Sequence, residues 1–192
     1  MIRRLIILLL IVGCGTEPED CAGVAGGTAV KDECGVCGGD NSTCVFDIDG
    51  NLYETVVIGD QLWMAENLKV THYNNGDEIP TGYSNSEWSE LVTGAFEIYD
   101  DDPANADVYG NLYNWAVGVD DRGVCPDGWH VPSDEEFMEL EMYLGMSEED
   151  ANSEGHRGTG EGSKLAGNGD LWVDGDLVNN SEFGTSGFTG LP

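Results

Sequence analysis

Apolar residues recur at helical spacing in the second half of the chain. They fall at i, i+3 and i+7, as one stripe of a helix that faces a core: Phe137, Leu140 and Leu144. Ser133 and Glu136 have the spacing of a capping box, in which each side chain binds the backbone amide of the other. Gly145 follows as a stop. The pattern predicts a helix from Ser133 to Gly145, entered from a turn that contains Trp129 and His130.

Short runs of β-branched and aromatic residues predict strands elsewhere. Leu52–Ile58 and Gln61–Met64 flank a Gly-Asp pair, which is the pattern of a hairpin. Three further elements and one long loop are predicted: strands near 95–99 and 171–173, a helical turn near 86–91, and a loop at 147–169. The 28 glycines suit such short elements better than a helical bundle. We therefore expect an α+β fold with long loops and one or two helices.

The first residues have the pattern of an export signal. Two arginines precede an unbroken apolar run at 5–12, which is far shorter than the roughly 18 residues that span a bilayer. The run ends at Cys14 in a segment that resembles a bacterial lipobox, so we expect a signal peptide at 1–13 and acylation of Cys14. An ordinary secretory signal is the alternative. Acylation would anchor the exported protein to the cell envelope, and Gly15 favours the outer membrane or the cell surface.

A polar tether at 14–20 leads into a cysteine-rich module at 21–44. The module contains four cysteines and a degenerate repeat, in which Ala25 stands where the second copy has a cysteine: Cys21, Cys34, Cys37 and Cys44. An exported segment with so few apolar residues has no core to hold it, which favours disulfides. Four cysteines allow three pairings. A structural zinc site and a redox dithiol are the alternatives.

The charge balance is strongly acidic, with 37 acidic and 7 basic side chains and a formal net charge of −30. Because a phosphate-binding surface needs clustered Lys and Arg, nucleic acid is excluded as a partner class. The acidic surface favours solubility, and some of the carboxylates are candidates for calcium. One loop concentrates these candidates: Asp100, Asp101, Asp102 and Asp107. We expect its repelling carboxylates to stay solvated, with calcium binding as the alternative. No other cofactor is expected.

No motif of a hydrolase, a P-loop enzyme or a zinc protease occurs in the sequence. Four residues around the predicted helix start are interpreted as structural: Trp129, His130, Ser133 and Glu136. A ligand or base role for His130 is the alternative. Four tryptophans have apolar or turn neighbours and are expected in the core: Trp63, Trp115, Trp129 and Trp172. The aromatic stretch at 109–116 is also expected in the core, with a surface platform for sugars as the alternative.

Four motifs in order resemble the family first described as the major paralogous domain of Fibrobacter succinogenes. The first, with Gly-Asn-x-Tyr-x-Thr-Val and Trp-Met-x-Glu-Asn-Leu, lies at 49–68. The others are Tyr-Gly-x-Leu-Tyr-x-Trp-Ala at 109–116, Cys-Pro-x-Gly-Trp-His-Val-Pro-Ser-Asp at 125–134, and Ser-Gly-Phe-x-x-Leu-Pro at 186–192. The resemblance covers about 45–192. It implies a C-type-lectin-like fold, similar to that of formylglycine-generating enzymes.

The resemblance also bears on function. Family members continue past the Leu-Pro motif to a late cysteine, so it implies that this chain ends inside its domain and that Cys125 lacks a partner. The paired cysteines that bind copper in formylglycine-generating enzymes have no counterpart, so no activity carries over. We therefore expect a non-enzymatic lipoprotein whose domain binds a glycan or a protein at the envelope. A modifying enzyme on this scaffold and a calcium-dependent structural module are the alternatives.

Overall fold

The computed structural model describes residues 17–192. The predicted signal peptide and its acceptor Cys14 lie outside these residues. The described chain divides into two compact units, one ending at Asn41 and the other running from Ser42 to Pro192. Within residues 17–192, no helix combines the length and the apolar character needed to cross a membrane.

The first unit is built from two copies of one loop. In the first copy, the Asp20 amide donates to the carbonyl of Val24 at 3.0 Å, and the Asp20 carboxylate accepts from the Val24 amide at 2.9 Å. Asp32 and Val36 make the same two bonds in the second copy, at 2.9 and 2.8 Å. A Cβ on Gly27 would overlap the Asp20 carboxylate, so this close approach requires glycine.

The two copies align as the degenerate repeat predicts. The first is closed by a bridge between Glu19 and Ala25, and the second by a bridge between Lys31 and Cys37. Ala25 therefore occupies the place of a cysteine in the other copy.

Disulfides hold this part of the chain. Cys21 and Cys37 are joined with their Cα atoms 5.6 Å apart, and Cys34 and Cys44 are also disulfide-bonded. None of residues 17–41 is buried. Because the unit has no apolar core, cross-links rather than hydrophobic burial stabilise it, in agreement with the disulfide interpretation.

The second unit begins with a three-stranded antiparallel sheet in the order β1-β2-β3, with β1 at Cys44–Phe46, β2 at Leu52–Ile58 and β3 at Gln61–Met64. The hairpin between β2 and β3 is the predicted one, and Val57 faces Leu62 across it. Gly59 makes the turn with a φ of 63°, which suits glycine. A second sheet pairs β4, Phe96–Glu97, with β5, Leu112–Tyr113.

Six short helices complete the unit, together with three single 3₁₀ turns at Tyr99–Asp101, Pro103–Asn105 and Gly169–Leu171. The helices are α1 at Asn85–Trp88, α2 at Ala106–Tyr109, α3 at Trp115–Gly118, α4 at Asp134–Tyr143, α5 at Glu148–Ala151 and α6 at Glu161–Leu165. Small antiparallel sheets combined with helices are the α+β class that the sequence predicts.

Helix α4 begins and ends where its sequence signals lie. The Ser133 hydroxyl accepts from the Glu136 amide at 3.2 Å, and the Glu136 carboxylate accepts from the Ser133 amide at 2.8 Å. Leu140 is fully buried, and Phe137 packs edge-on against Trp63 with ring centroids 6.1 Å apart. Gly145 follows the C-cap with a φ of 119°, which favours glycine.

The core of the second unit is formed largely by loop residues. One cluster of this core has six buried members: Val70, Tyr73, Ile79, Phe96, Val117 and Val124. Of these, only Phe96 and Val117 lie in a strand or helix. Two contacts hold these loops in place. The Asn74 backbone amide donates to the Gly123 carbonyl at 2.9 Å, and the Arg122 guanidinium lies 3.8 Å above the Tyr73 ring as a cation–π contact.

Two predicted elements are wrong. The predicted loop at 147–169 contains α5, whose first turn is capped by Ser147 through a bond from the Asp150 amide, and α6. The predicted strand at 171–173 instead follows a 3₁₀ turn. The Trp172 backbone amide donates to the Gly169 carbonyl at 3.3 Å and is therefore used within the turn, while its indole N–H donates to the Gly167 carbonyl at 2.8 Å.

Two residues predicted in the core, both in the stretch at 109–116, are instead exposed: Leu112 at 51% and Trp115. The side chain of Trp115 is 80% exposed, whereas Trp63, Trp129 and Trp172 are half-buried. Trp115 begins α3, and Val117 on the same short helix is fully buried. Since one helical turn directs only part of its circumference inward, burial of Val117 leaves Trp115 on the surface.

Candidate functional site

A cleft of about 500 Å³ opens where the turn before α4 meets strand β3 and the C-terminal segment. Its aromatic lining comes from three distant parts of the chain: Trp63, Trp129 and Phe188. Leu62, Met64, Leu68 and Pro132 add apolar surface. Polar side chains also line the cleft: Gln61, Glu66, Asn67, His130 and Glu136. An apolar cleft with a few polar groups is the usual form of a binding site.

Trp63 is held in a fixed orientation at one wall. Its indole N–H donates to the side-chain carbonyl of Gln61 at 3.1 Å, and the Gln61 amide donates to the Glu136 backbone carbonyl at 3.0 Å. Phe188 packs edge-on against the indole ring of Trp63, with ring centroids 5.6 Å apart. The indole N–H of Trp63 and the side-chain amide of Gln61 are thus bonded within the protein. Trp63 therefore offers a ligand its aromatic surface and no polar group.

The His130 ring and the Glu136 carboxylate are in hydrogen-bond contact at the edge of the cleft. His130 Nε2 lies 2.8 Å from Glu136 Oε1, and the His130 side chain is 68% exposed. The bond from the Ser133 amide and the contact with His130 both hold the pKa of Glu136 below its ordinary value. Glu136 therefore stays ionised at neutral pH. Helix capping and cleft lining thus depend on the same carboxylate.

Several polar atoms of the cleft are available to a ligand. Asn67 uses its amide N–H on the Tyr109 carbonyl at 2.8 Å, and Glu66 Oε1 accepts from the Glu54 amide at 3.0 Å. Among residues 17–192, no partner occupies the side-chain carbonyl of Asn67, the second oxygen of Glu66 or the indole N–H of Trp129. The cleft therefore offers both donors and acceptors beside its aromatic surface.

A residue with a strained backbone conformation, Thr189, holds the C-terminal segment against the rest of the domain. Thr189 has a φ of 53°, a region that β-branched residues rarely adopt, and its hydroxyl donates to the Ala65 carbonyl. The Gly190 amide donates to the Leu165 carbonyl at 2.8 Å. These contacts hold Phe188 in the cleft wall. Strained residues persist where the surroundings determine them, commonly at functional sites.

The four Asp side chains of the acidic loop do not converge on a common site. Asp100 and Asp101 have left-handed φ values of 61° and 54°, while Asp102 accepts from the Ala104 amide at 3.0 Å and caps the following 3₁₀ turn. Asp107 lies on α2. In the part of the chain that the structure describes, no group of three or more His, Cys, Asp or Glu side chains is placed to hold a metal ion. Calcium binding by this loop stays a prediction.

The free thiol and a second histidine have structural surroundings. Cys125, which is unpaired, is half-buried against the core, and burial raises its thiol pKa, so it stays protonated at neutral pH. His72 Nδ1 lies 2.6 Å from Asp49, which also accepts from the Thr71 amide and hydroxyl. Although partial burial acts to raise the pKa of Asp49, the Thr71 and His72 bonds lower it. This group ties two loops together.

Sequence reasoning placed the residues of the cleft in separate elements. It interpreted Trp129, His130, Ser133 and Glu136 as structural, and the structure puts all four at or beside the cleft. It did not connect them with Gln61 or Phe188. The signal that could have done so is their presence in three of the four ordered motifs, at 49–68, 125–134 and 186–192.

A family model described as the Fibrobacter succinogenes major domain matches residues 56–192. The match starts within β2 and includes the cleft residues of β3, α4 and the C-terminal segment. Neither curated proteins nor solved structures gave a significant match. Because the matched region is most of the chain, the protein belongs to the Fibrobacter succinogenes major domain family.

Proposed function

We propose that this protein is a non-catalytic carbohydrate-binding lipoprotein of the cell envelope and that the cleft around Trp63 and Trp129 is its site. The observation that carries the proposal is the composition of the cleft. Half-buried aromatic rings line it, and unoccupied polar atoms of Asn67, Glu66 and Trp129 stand beside them.

This arrangement matches the surface of a sugar. A pyranose ring has an apolar C–H face, which packs on an indole, and hydroxyl groups around its edge, which donate and accept hydrogen bonds. Aromatic side chains combine a large apolar surface with a polar atom, which makes them suited to such mixed surfaces. Because Trp63 is fixed by Gln61 and by Phe188, little side-chain entropy would be lost on binding.

The remaining features of the chain support display at the envelope. The signal-like segment and Cys14 would anchor the protein, and the disulfide-bonded first unit would separate the binding domain from the membrane. The lectin-like fold implied by the family motifs is part of the same proposal. A net charge of −30 disfavours anionic polymers such as nucleic acid.

The proposal is tested by applying the full-length protein in detergent to an array of glycans and peptidoglycan fragments. We expect retention on a neutral saccharide, and loss of that retention in Trp129→Ala. Since Trp129 is half-buried and its loss could affect folding, Leu62→Glu provides a second variant. Leu62 is 49% exposed at the cleft and tolerates a polar residue.

Val173→Glu is the matched control, because Val173 is 91% exposed and does not line the cleft. It should bind as the wild type does. Flat responses of the wild type across the array would overturn the proposal. So would unchanged binding by both cleft variants, because the retained sugar would then occupy another surface.

A further inference from the structure

A second aromatic surface lies beside the cleft. Trp115 is 80% exposed, Val119 four positions later is 55% exposed, and Val131, which lies close to the end of α3, is 48% exposed. An aromatic side chain of this size is seldom left in water, and a cluster with apolar neighbours marks an interaction site. The apolar group formed by Trp115, Val119 and Val131 is named the Trp115 surface.

The orientation of Trp115 is set by its own helix. Asn114 caps α3 by accepting from the Val117 amide at 3.3 Å, and its side-chain amide donates to the Thr93 carbonyl at 2.8 Å. The Asn114 amide donates to Ala95 O at 3.1 Å, which joins the start of α3 to the β4 region. These three bonds fix the start of α3, and the burial of Val117 on the same short helix leaves Trp115 on the outside.

The Trp115 surface continues into the cleft. Val131 lies between His130 and Pro132, and both of these residues line the cleft. A Cβ placed on Gly118 would be 3.9 Å from Val131 Cγ2, so the end of α3 lies close to Val131. Gly118 follows Trp115 by three positions, and residues at that spacing share one side of a helix.

We propose that the Trp115 surface is a second subsite for the ligand of the cleft and that this ligand is a linear, uncharged polysaccharide. The inference rests on the proposed function. Two aromatic surfaces joined by Val131 and His130 suit a chain of sugar rings, which presents one apolar face after another, better than a single terminal sugar.

Charge selects the ligand and argues against a second copy of the protein as the occupant. Glu66 and Glu136 line the cleft, and Asp121 follows the Trp115 surface along the chain. These carboxylates repel sulfated or uronic polymers. Two copies of a chain with a net charge of −30 also repel each other, whereas an uncharged polysaccharide meets no such barrier.

The test is the dependence of affinity on ligand length. Uncharged oligosaccharides of increasing length, derived from the polysaccharide that the array identifies, are titrated by calorimetry into the full-length protein in detergent. We expect affinity to rise with length in the wild type. In Trp115→Ala that rise should disappear, with about a tenfold loss for the longest oligosaccharide and no change for the shortest.

Two variants serve as controls. Trp115→Tyr keeps an aromatic ring at the same position and should retain most of the length dependence. Tyr143→Ala removes an aromatic side chain that is 65% exposed outside both surfaces, and it should behave as the wild type.

The outcomes separate the two proposals. If Trp129→Ala abolishes binding but Trp115→Ala leaves the length dependence unchanged, the second subsite is wrong and the cleft remains. Tighter binding of a charged polymer than of its uncharged counterpart would also overturn the choice of ligand. If the wild type binds no saccharide of any length, both proposals fail together.

Discussion

At the scale of single residues, one largely buried ion pair connects the segment between α5 and α6 to helix α4. Glu141 is 8% exposed, and Arg157 donates from Nε to its carboxylate at 3.2 Å. Arg157 Nη2 lies 2.8 Å from the second carboxylate oxygen, but outside hydrogen-bond geometry. A buried carboxylate depends on its counter-charge, because removing one partner leaves the other charge unpaired.

We therefore expect Arg157→Met to lower the free energy of unfolding by about 3 kcal/mol or more. The measurement is urea denaturation followed by tryptophan fluorescence. The double variant Glu141→Leu/Arg157→Met removes both charges and should recover most of the loss. A single variant as stable as the wild type would show that Glu141 does not need its partner.

At the scale of elements, two capping boxes of the same form serve helices of different importance. Ser133 caps α4, which buries Leu140 and packs Phe137 on Trp63. Ser84 caps α1, which buries none of its residues. Because tertiary packing supplies most of the stability of a helix, a cap matters most where the helix it starts is part of the core.

The caps make a matched pair of variants. Ser133→Ala should destabilise the second unit by about 1 kcal/mol, since it leaves the Glu136 amide without its acceptor. Ser84→Ala should change the global stability much less, because α1 can fray without exposing core residues. Thermal denaturation of both variants measures the difference. Equal losses would contradict this distinction between the two helices.

At the scale of the whole molecule, the two units are stabilised by different means. Residues 17–41 bury no side chain, and the loops of that unit close on the Asp20 and Asp32 carboxylates. The unit from 42 to 192 has an apolar core in which Tyr53, Tyr73 and Leu140 are fully buried. Reduction of disulfides should therefore affect the two units unequally.

Hydrogen exchange followed by mass spectrometry tests this expectation. Adding a reductant should remove protection from the amides of Val24 and Val36, whose acceptors are held in place only while the loops are closed. Amides around Leu140 should keep their protection. Persistence of protection at residues 20–39 after reduction would mean that the loops are stable without cross-links.

Local signals allowed the main elements to be predicted. Ser133 and Glu136 mark the start of α4, Gly145 marks its end, and the hairpin at β2 and β3 is marked by its own turn. The capping pair Ser147 and Asp150 is also a local signal, and it marks α5 inside the predicted loop at 147–169. Such signals can be read from sequence because the interacting groups are neighbours along the chain.

Other features depended on contacts between distant residues. Helix α6 has no side-chain cap, and Lys164 instead reaches the Leu144 carbonyl at 2.7 Å. The sequence of α3 is as apolar as a core segment, and only the inward placement of Val117 decides that Trp115 is exposed. No local pattern contains that information, because which side of one turn faces the core depends on what packs against it.

The amino-acid sequence alone determined the family, the acidic surface, the cysteine-rich module and the helix that follows the Trp129 turn, because each depends on composition or on residues close together in the chain. Only the tertiary structure decided that Gln61, Trp129 and Phe188 line one cleft. The reason is that long-range packing, including the hydrogen bond from the Thr189 hydroxyl to the Ala65 carbonyl, brings these three segments together.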